Sequence, residues 1–409
     1  PPRSTLFPYT TLFRSSRPSV SPSGSGSAAA VSGPVLADFA ASLLASLAPK
    51  PKNLIISPWS IGIALSMIRE GAVGKTADQL DALLGASAPA LGDALNSQAA
   101  AFRKASDVQV NIANALWGQT DLEWLQPFLD RLAKAYGAPL NQVDFGTHPD
   151  DIRVDINDWV AGQTKNKIKD LLDQGLVTSS TRMVLVNAVY FKAAWARAMD
   201  KLGDQEFRTP DKSVKVPFLR QLAMRPWFED DSWQGSVQYC KNNDFALVVV
   251  LPTQQHSTAA VPSGLFGKVL AAAPAEVNLQ MPAWKTDYKT QLRPVLETLG
   301  VELAFNPDLA DFSAMTTKEK LYLDFLIHQA TIEVTADGIE AAAATAGGMA
   351  AGAAPSLPLS AYAGTWRDPW YGDIVISERN GGLWLDFTRS NALQGWLEPY
   401  DGETFRTRF

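Results

Sequence analysis

Cysteine is nearly absent from this 409-residue chain: Cys240 is the one thiol, which excludes an internal disulfide and any cysteine-based metal cluster. Beside Tyr239 it reads as a small core residue, with a reactive thiol as the alternative. Histidine is almost as scarce. His148, His256 and His328 form no H-E-x-x-H and share no ligand spacing with the lone cysteine, so no metal site is expected. There is no G-x-S-x-G elbow, S-x-x-K pair, Walker loop or G-x-G-x-x-G turn. The common sequence carriers of nucleophilic and phosphate-cradling chemistry are therefore missing, and neither an enzyme nor a bound cofactor is expected. No run of eighteen apolar residues is present, which argues against a membrane-spanning helix. With a net charge of −6 and no Lys/Arg block interleaved with aromatics, nucleic acid and anionic membrane are not expected partners.

What is present is enough apolar content, 46%, for a sizeable globular core. Residues 1 to 32 do not read as part of it. They hold a near-duplicated Thr-Leu-Phe (Thr5 to Phe7, Thr11 to Phe13) and then a Ser/Gly/Ala/Pro tract, which predicts a disordered leader and linker. The stretch STLFPYTTLFRS also resembles translated sequencing-adapter read-through. From Val35 the pattern becomes regular: an Ala/Leu helix to Leu47, a short apolar strand Leu54 to Ile56, then Ser57-Pro58 opening a helix that is apolar on nearly every face and demands burial. Helices follow near 76–84, 89–104, 122–136 and 150–165. Beyond them strands dominate, in NIANALWG, TRMVLVNAVYF, VKVPFL, SVQYC, FALVVVLP, EVNLQMP and YLDFLIHQATIEV. Helices first and then strands without regular alternation indicate an α+β domain on a large mixed sheet. Composition changes abruptly after Thr335 and again after Leu359, dividing the chain into a core over 33–335, a small-residue segment over 336–358 and a β-rich tail over 359–409.

Four separated segments, in one order, resemble the serpin signature. They are NLIISPWSIGIALSMIREGAVGKTADQL from Asn53, LVNAVYFKAAW from Leu185 with VPFLRQ near Val216 after it, DFSAM from Asp311, and IHQATIEVTADGIEAAAATA from Ile327. The resemblance implies a bacterial-type suicide-substrate inhibitor of serine or cysteine proteases, acting as a monomer through a covalent acyl complex, in an extracellular or periplasmic setting. Such inhibitors hold a mobile loop outside a five-stranded sheet. On cleavage the loop slides in as a new central strand and drags the acylated protease with it.

By that resemblance Ser57, Ser60, Asn187 and His328 form the polar cluster at which the sheet opens, and Trp195 marks the point where insertion begins. Read locally, Ser57 is a helix cap, His328 a satisfied core histidine and Trp195 ordinary packing. The hinge maps to Gly338, Ile339, Glu340, Ala341, Ala342, Ala343, Ala344 and Thr345, with Glu340 on the solvent face and Ile339 bulkier than the usual Thr or Ser. Without the family, GIEAAAATAGGMAAGAA is a flexible connector or weak helix. Within it, small side chains are what entry into a packed sheet requires, since overpacking costs about 1–3 kcal/mol per misfit. Family spacing from Gly338 puts the cleaved bond near Gly352-Ala353, with Ala351 and Ala354 beside it. A small residue there implies an elastase-like or subtilisin-like target.

The tail departs from the family's usual ending. Tyr362, Trp370-Tyr371-Gly372, Asn380-Gly381-Gly382 and Phe405 resemble the β-rich accessory domain behind serine β-lactamase-like and penicillin-binding-protein-like hydrolases, and Asn380-Gly381 is a hairpin signal by itself. Natural fusion and chimeric assembly of two gene fragments both account for the junction, and a non-inhibitory or non-functional serpin-like scaffold fused to such an accessory domain is the alternative to a working inhibitor. A truncated core is expected to leave ladder groups unpaired unless the tail's strands replace what the usual ending supplies.

Overall fold

The Ala/Leu pattern folds as α1 (Ser32–Leu47), and Ser57-Pro58 opens α2 (Pro58–Glu70). The computed structural model describes residues 9–13, 32–47, 53–86, 88–105, 107–208, 212–253, 261–262, 264–351, 359–368, 372–379, 382–389, 393–401 and 404–407. Ser57 caps α2 by accepting the Ser60 N–H at 3.3 Å, and Pro58 sits where a helix has no use for its missing donor. Every residue from Ser60 to Ile68 is buried, as the all-round apolar pattern requires. The residues expected as a strand over Leu54–Ile56 do not form one. They lead straight into the cap, where the Ser57 N–H is taken by a side chain instead of a ladder. The remaining helices are α3 (Gly74–Leu84), α4 (Ala88–Arg103), α5 (Gln126–Tyr136), α6 (Pro149–Gln163), α7 (Leu265–Ala271) and α8 (Arg293–Thr298).

Three sheets carry the rest. One contains β1 (Tyr9–Phe13), β5 (Asp200–Arg208), β6 (Ser213–Glu229), β7 (Trp233–Tyr239), β8 (Ala246–Pro252) and β9 (Pro274–Pro282). Its order is β1-β8-β7-β6-β5, with β9 also on β6. The second contains β2 (Val108–Gln119), β3 (Leu140–Val143), β4 (Thr181–Ala194), β10 (Trp284–Gln291), β11 (Leu321–Val334) and β12 (Gly338–Ala351) in the order β10-β11-β12-β4-β2-β3. All its neighbours are antiparallel except β2 and β3, so the sheet is mixed. The third is the tail's antiparallel meander, β13 (Gly364–Asp368), β14 (Gly372–Arg379), β15 (Gly382–Phe387), β16 (Gln394–Asp401) and β17 (Thr404–Thr407).

Two expectations change here. The leader is not wholly unstructured, because β1 pairs with β8 from Tyr9↔Val250 to Phe13↔Ala246. Tyr-Thr-Thr-Leu-Phe is rich in residues suited to a pleated surface, and β8 has an edge to fill. The tail's strands pair with one another, so the strand on that edge comes from the front of the chain. Within the tail Arg379 pairs with Gly382, which leaves Asn380-Gly381 as a two-residue link, although those two residues and Trp370-Tyr371 lie outside the described residues. Tyr362 and Phe405 meet edge to face at 4.9 Å.

One buried charge in the β6–β7 region has only neutral partners. Arg225 is 3% exposed, and its two Nη atoms donate to Gln238 Oε1 and Gln221 Oε1, both at 2.6 Å, and to the Val237 and Gln221 carbonyls at 3.2 and 3.4 Å. Its Nε has no acceptor, and burial pulls the guanidinium below its ordinary pKa. Among the described residues no carboxylate pairs with it. Gln238→Glu would place one at the same 2.6 Å contact. We expect it to stabilise the fold by about 1–3 kcal/mol in urea unfolding. The gain should vanish in an Arg225→Met background; an equal gain in both backgrounds would show that the buried charge is not the cause.

Candidate functional site

The alanine-rich segment expected as an external loop is the fourteen-residue strand β12, running between β11 and β4. It pairs with β11 from Ile339↔Val334 to Ala351↔Leu321 and with β4 from Gly338↔Ala194 to Ala350↔Thr181. Its composition follows from having cores on both faces. Ala342, Ala344 and Ala346 pack with Val184, Val186, Ile156 and Leu171 beneath α6, while Met349 and Ala350 join the core built on α2. A Cβ on Gly347 would lie 2.8 Å from Ile68 Cδ1, and one on Gly348 would run into the Phe325 ring. Side chains larger than those present have no room along most of the strand.

The strand enters through a turn at Thr335–Asp337, clamped by Trp195. The Trp195 indole N–H donates to the Thr335 carbonyl at 2.9 Å, its backbone N–H donates to the Asp337 carbonyl at 3.0 Å, and its ring is buried. Gly338 abuts β4 so closely that a Cβ would strike the Ala193 carbonyl, so the hinge position requires glycine. Ile339 is buried with Val334, Ala193 and Trp195, its bulk absorbed by that cluster. Ala341 is partly buried against the same cluster, and Ala343 is buried. Glu340, on the same face as Ala342, is only 20% exposed and accepts from the Tyr190 hydroxyl at 2.7 Å. Lys167 lies 2.9 Å and Lys192 3.7 Å from its other oxygen, and Lys167 also approaches Glu333, 3.8 Å away on the neighbouring strand. Burial opposes ionisation of Glu340, but the Tyr190 and Lys167 hydrogen bonds outweigh it and hold the carboxyl below its ordinary pKa. Burial, with that acceptor beside it, pushes the Tyr190 hydroxyl up to about 12.

At mid-strand lies a buried polar chain with one direction. The Ser57 N–H donates to His328 Nε2 at 3.1 Å, so that nitrogen carries no proton and Nδ1 carries it. Nδ1 donates to Thr345 Oγ1 at 2.8 Å. Thr345 then donates to Ser60 Oγ at 3.0 Å, Ser60 to Asn187 Oδ1 at 2.5 Å, Asn187 Nδ2 to Asn114 Oδ1 at 2.8 Å, and Asn114 Nδ2 to the Tyr136 carbonyl at 2.7 Å. A backbone group fixes each end, and the His328 ring proton and both hydroxyl protons between are each used once. The structure thus brings Ser57, Ser60, Asn187 and His328 together and adds Thr345, read from sequence only as hinge, and Asn114, which was missed. Two asparagines inside the otherwise apolar NIANALWG were the available signal, since a buried amide in a strand needs a partner. Ala351 closes β12, its N–H donating to the Ser180 carbonyl at 3.1 Å; Gly352, Ala353 and Ala354 lie outside the described residues.

The model of the family described as "Serpin (serine protease inhibitor)" matches residues 34–361. The chain belongs to the serpin family. A second model, described as "Domain of unknown function (DUF3471)", matches residues 349–409. This serpin is 34% identical to Iris of Ixodes ricinus over 329 residues, 76% of this chain and 86% of that protein. It is 32% identical to human Serpin B3 over 73% of this chain and 84% of that protein. It is also 33% identical to the leukocyte elastase inhibitor of Equus caballus over 72% and 83%. Among solved structures it is similar to cleaved Serpin 42Da, with a TM-score of 0.71 at 28% identity over 78% of this chain and 89% of that one. The reactive-loop-cleaved human thyroxine-binding globulin also matches, with a TM-score of 0.71 at 26% identity over 78% and 98%. Serpins are protease inhibitors and generally not catalysts.

In this serpin the polar chain makes a pH-dependent contribution to stability. Burial drives the His328 pKa from 6.5 down to about 3, with only the Ala344 carbonyl opposing it. Because the folded pKa is depressed, the neutral ring's contribution is complete above pH 6.5 and lost progressively between 6.5 and 3. Protonation would also set an Nε2–H against the Ser57 N–H. Unfolding free energies measured from pH 7.5 to 4 should fall more steeply for the native chain than for His328→Gln, by an amount on the order of a few kcal/mol over the window. Parallel curves would exclude His328 as the titrating group.

Proposed function

We propose that this chain is a serpin-type suicide inhibitor of serine proteases, directed at an elastase-like or subtilisin-like enzyme, with its scissile bond at Gly352-Ala353. The observation that carries this reading is the seat of β12: the strand between β11 and β4 begins at Gly338 and ends at Ala351, one residue before that bond. The protease's serine hydroxyl adds to the Gly352 carbonyl, the ester forms, the peptide bond breaks and the Ala353 amine leaves with a proton. The freed strand then enters the sheet and carries the ester-linked protease toward the Ser180 end before water can release it. Support comes from the small side chains at the bond, which suit a shallow primary pocket, and from a relative whose name is leukocyte elastase inhibitor. On this reading the chain works as a monomer in the extracellular or periplasmic space, where such proteases are secreted.

A second, structural reading concerns the tail. Its separate five-stranded sheet and its match to a model distinct from that of the core favour an added module. It makes no demand on the inhibitory core.

Freshly folded chain mixed with pancreatic-type elastase should give a complex that survives boiling in detergent; simple cleavage without a complex would remove the inhibitor reading. Gly352→Arg should transfer complex formation from elastase to trypsin, because the trypsin pocket requires a basic residue. Persistence of the elastase preference would move the scissile bond elsewhere.

A further inference from the structure

The two faces of the tail's sheet differ. Leu383 and Leu385 are buried on one of them, with Ile376 opposite Leu385. The alternate residues of the same strands form the other, outer face. There the pairings Ser377↔Trp384 and Trp384↔Trp396 set two tryptophans side by side across β15 and β16. Their rings meet edge to face, with centroids 5.1 Å apart and planes at 83°. Trp396 is 45% exposed, on the side away from the tail's buried leucines. The tail's own packing does not require a large aromatic there, and exposed aromatic surface of this kind marks a contact site.

Polar groups flank the pair on both sides. Toward the β14–β15 turn, the Arg379 guanidinium lies 5.5 Å from the centroid of the Trp384 ring, and its Nε donates to Ser377 Oγ at 3.0 Å. In the opposite direction, Asp386 and Gln394 stand opposite each other on β15 and β16, on the same face as the tryptophans. Trp384 Nε1 is buried with no acceptor among the described residues, so the face holds a donor that the fold does not use. One cation, one carboxylate and one amide rim the pair, and beyond them Arg367 and Asp373 neutralise each other at 2.8 Å. A rim balanced in this way selects neither an anion nor a cation. Rings at right angles also form no parallel-walled slot of the kind that grips a proline-rich peptide. The face suits a ligand with a flat C–H surface to lie on an electron-rich indole and an edge of hydroxyls that both donate and accept. We propose that the Trp384–Trp396 face of the tail binds a neutral oligosaccharide of equatorially linked pyranoses. Trp396 carries a sugar ring, while Arg379, Asp386 and Gln394 hold its hydroxyls. This site goes beyond the reading of the tail as an added module and is independent of the inhibitor reading.

The test titrates the full-length chain calorimetrically with cellohexaose and with chitohexaose, and follows elastase complex formation on the same preparation. Binding of at least one of the two sugars is expected. Trp396→Ala should weaken it by about tenfold or more, since the loss removes the aromatic floor of the site. Trp366→Ala removes a tryptophan that is 50% exposed on the opposite face, and should leave sugar binding unchanged. If Trp396→Ala does not fold, oxidative footprinting of the native chain decides in its place: mass spectrometry should show Trp396 protected by saturating sugar and Trp366 not. A chain that binds neither sugar overturns the proposal, as does binding that survives Trp396→Ala undiminished or protection that is equal at both tryptophans. Sugar binding that depends on Trp396 in a chain that forms no complex with elastase upholds the site and removes the inhibitor reading instead.

Discussion

The structure depends on one constraint: the middle of its largest sheet must accept β12 between two strands and two cores at once. β11 and β4 supply both ladders, α2 lies on one face and the α6 side on the other, so the incoming strand has neither spare volume nor spare hydrogen-bonding capacity. Gly347, Gly348 and the alanines meet the first limit. Thr345 meets the second, because its hydroxyl accepts from His328 and donates to Ser60, the two roles the site leaves open. A valine of the same shape would leave both neighbours short of a partner in a dry interior, at a cost of about 1–3 kcal/mol each.

The same constraint explains why a polar chain crosses an otherwise apolar core. Six consecutive hydrogen bonds link α2, β11, β12, β4 and β2 to the end of α5, and their common direction is set by the Ser57 N–H at one end and the Tyr136 carbonyl at the other. Chains of this kind strengthen cooperatively when complete and are costly when one member is missing. The site therefore registers whether Thr345 is in place. Near the entry pole Glu340 works similarly: Lys167 reaches Glu340 and Glu333, so it offsets the repulsion of two carboxylates opposed across neighbouring strands.

How much of this was legible in the sequence depends on whether a residue's environment is local. α2 could be read because its cap, its proline and its all-round apolar faces lie within one stretch. The apolar strands β4, β8 and β11 could be read from their runs of branched residues. β5 and β10 could not: DKLGDQEFR and WKTDYKTQ are mostly polar, and β10 is an edge strand whose position is set by its neighbour. β12 is the clearest case, since an Ala/Gly segment carries no periodic signal and its strand identity exists only once β11 and β4 stand beside it. Family resemblance supplied the hinge and four members of the polar cluster, but their partners Asn114 and Thr345 emerged only from the registers Asn114↔Asn187 and His328↔Thr345.

Strand supply accounts for the remaining departures. An apolar strand such as β8, with sequence ALVVVLP, exposes a row of unpaired donors and acceptors unless another strand covers it. The tail strands form a meander of their own, with Leu383 and Leu385 buried on one face, so they gain little by leaving it. Among the described residues Tyr9–Phe13 pairs only with β8, and because loop-closure entropy grows only slowly with length, the long stretch between it and α1 adds modestly to the cost of delivering it. Both ends of the core thus follow one rule: an open ladder takes whichever segment is free to move. At β8 that segment is the leader, and in the large sheet it is β12.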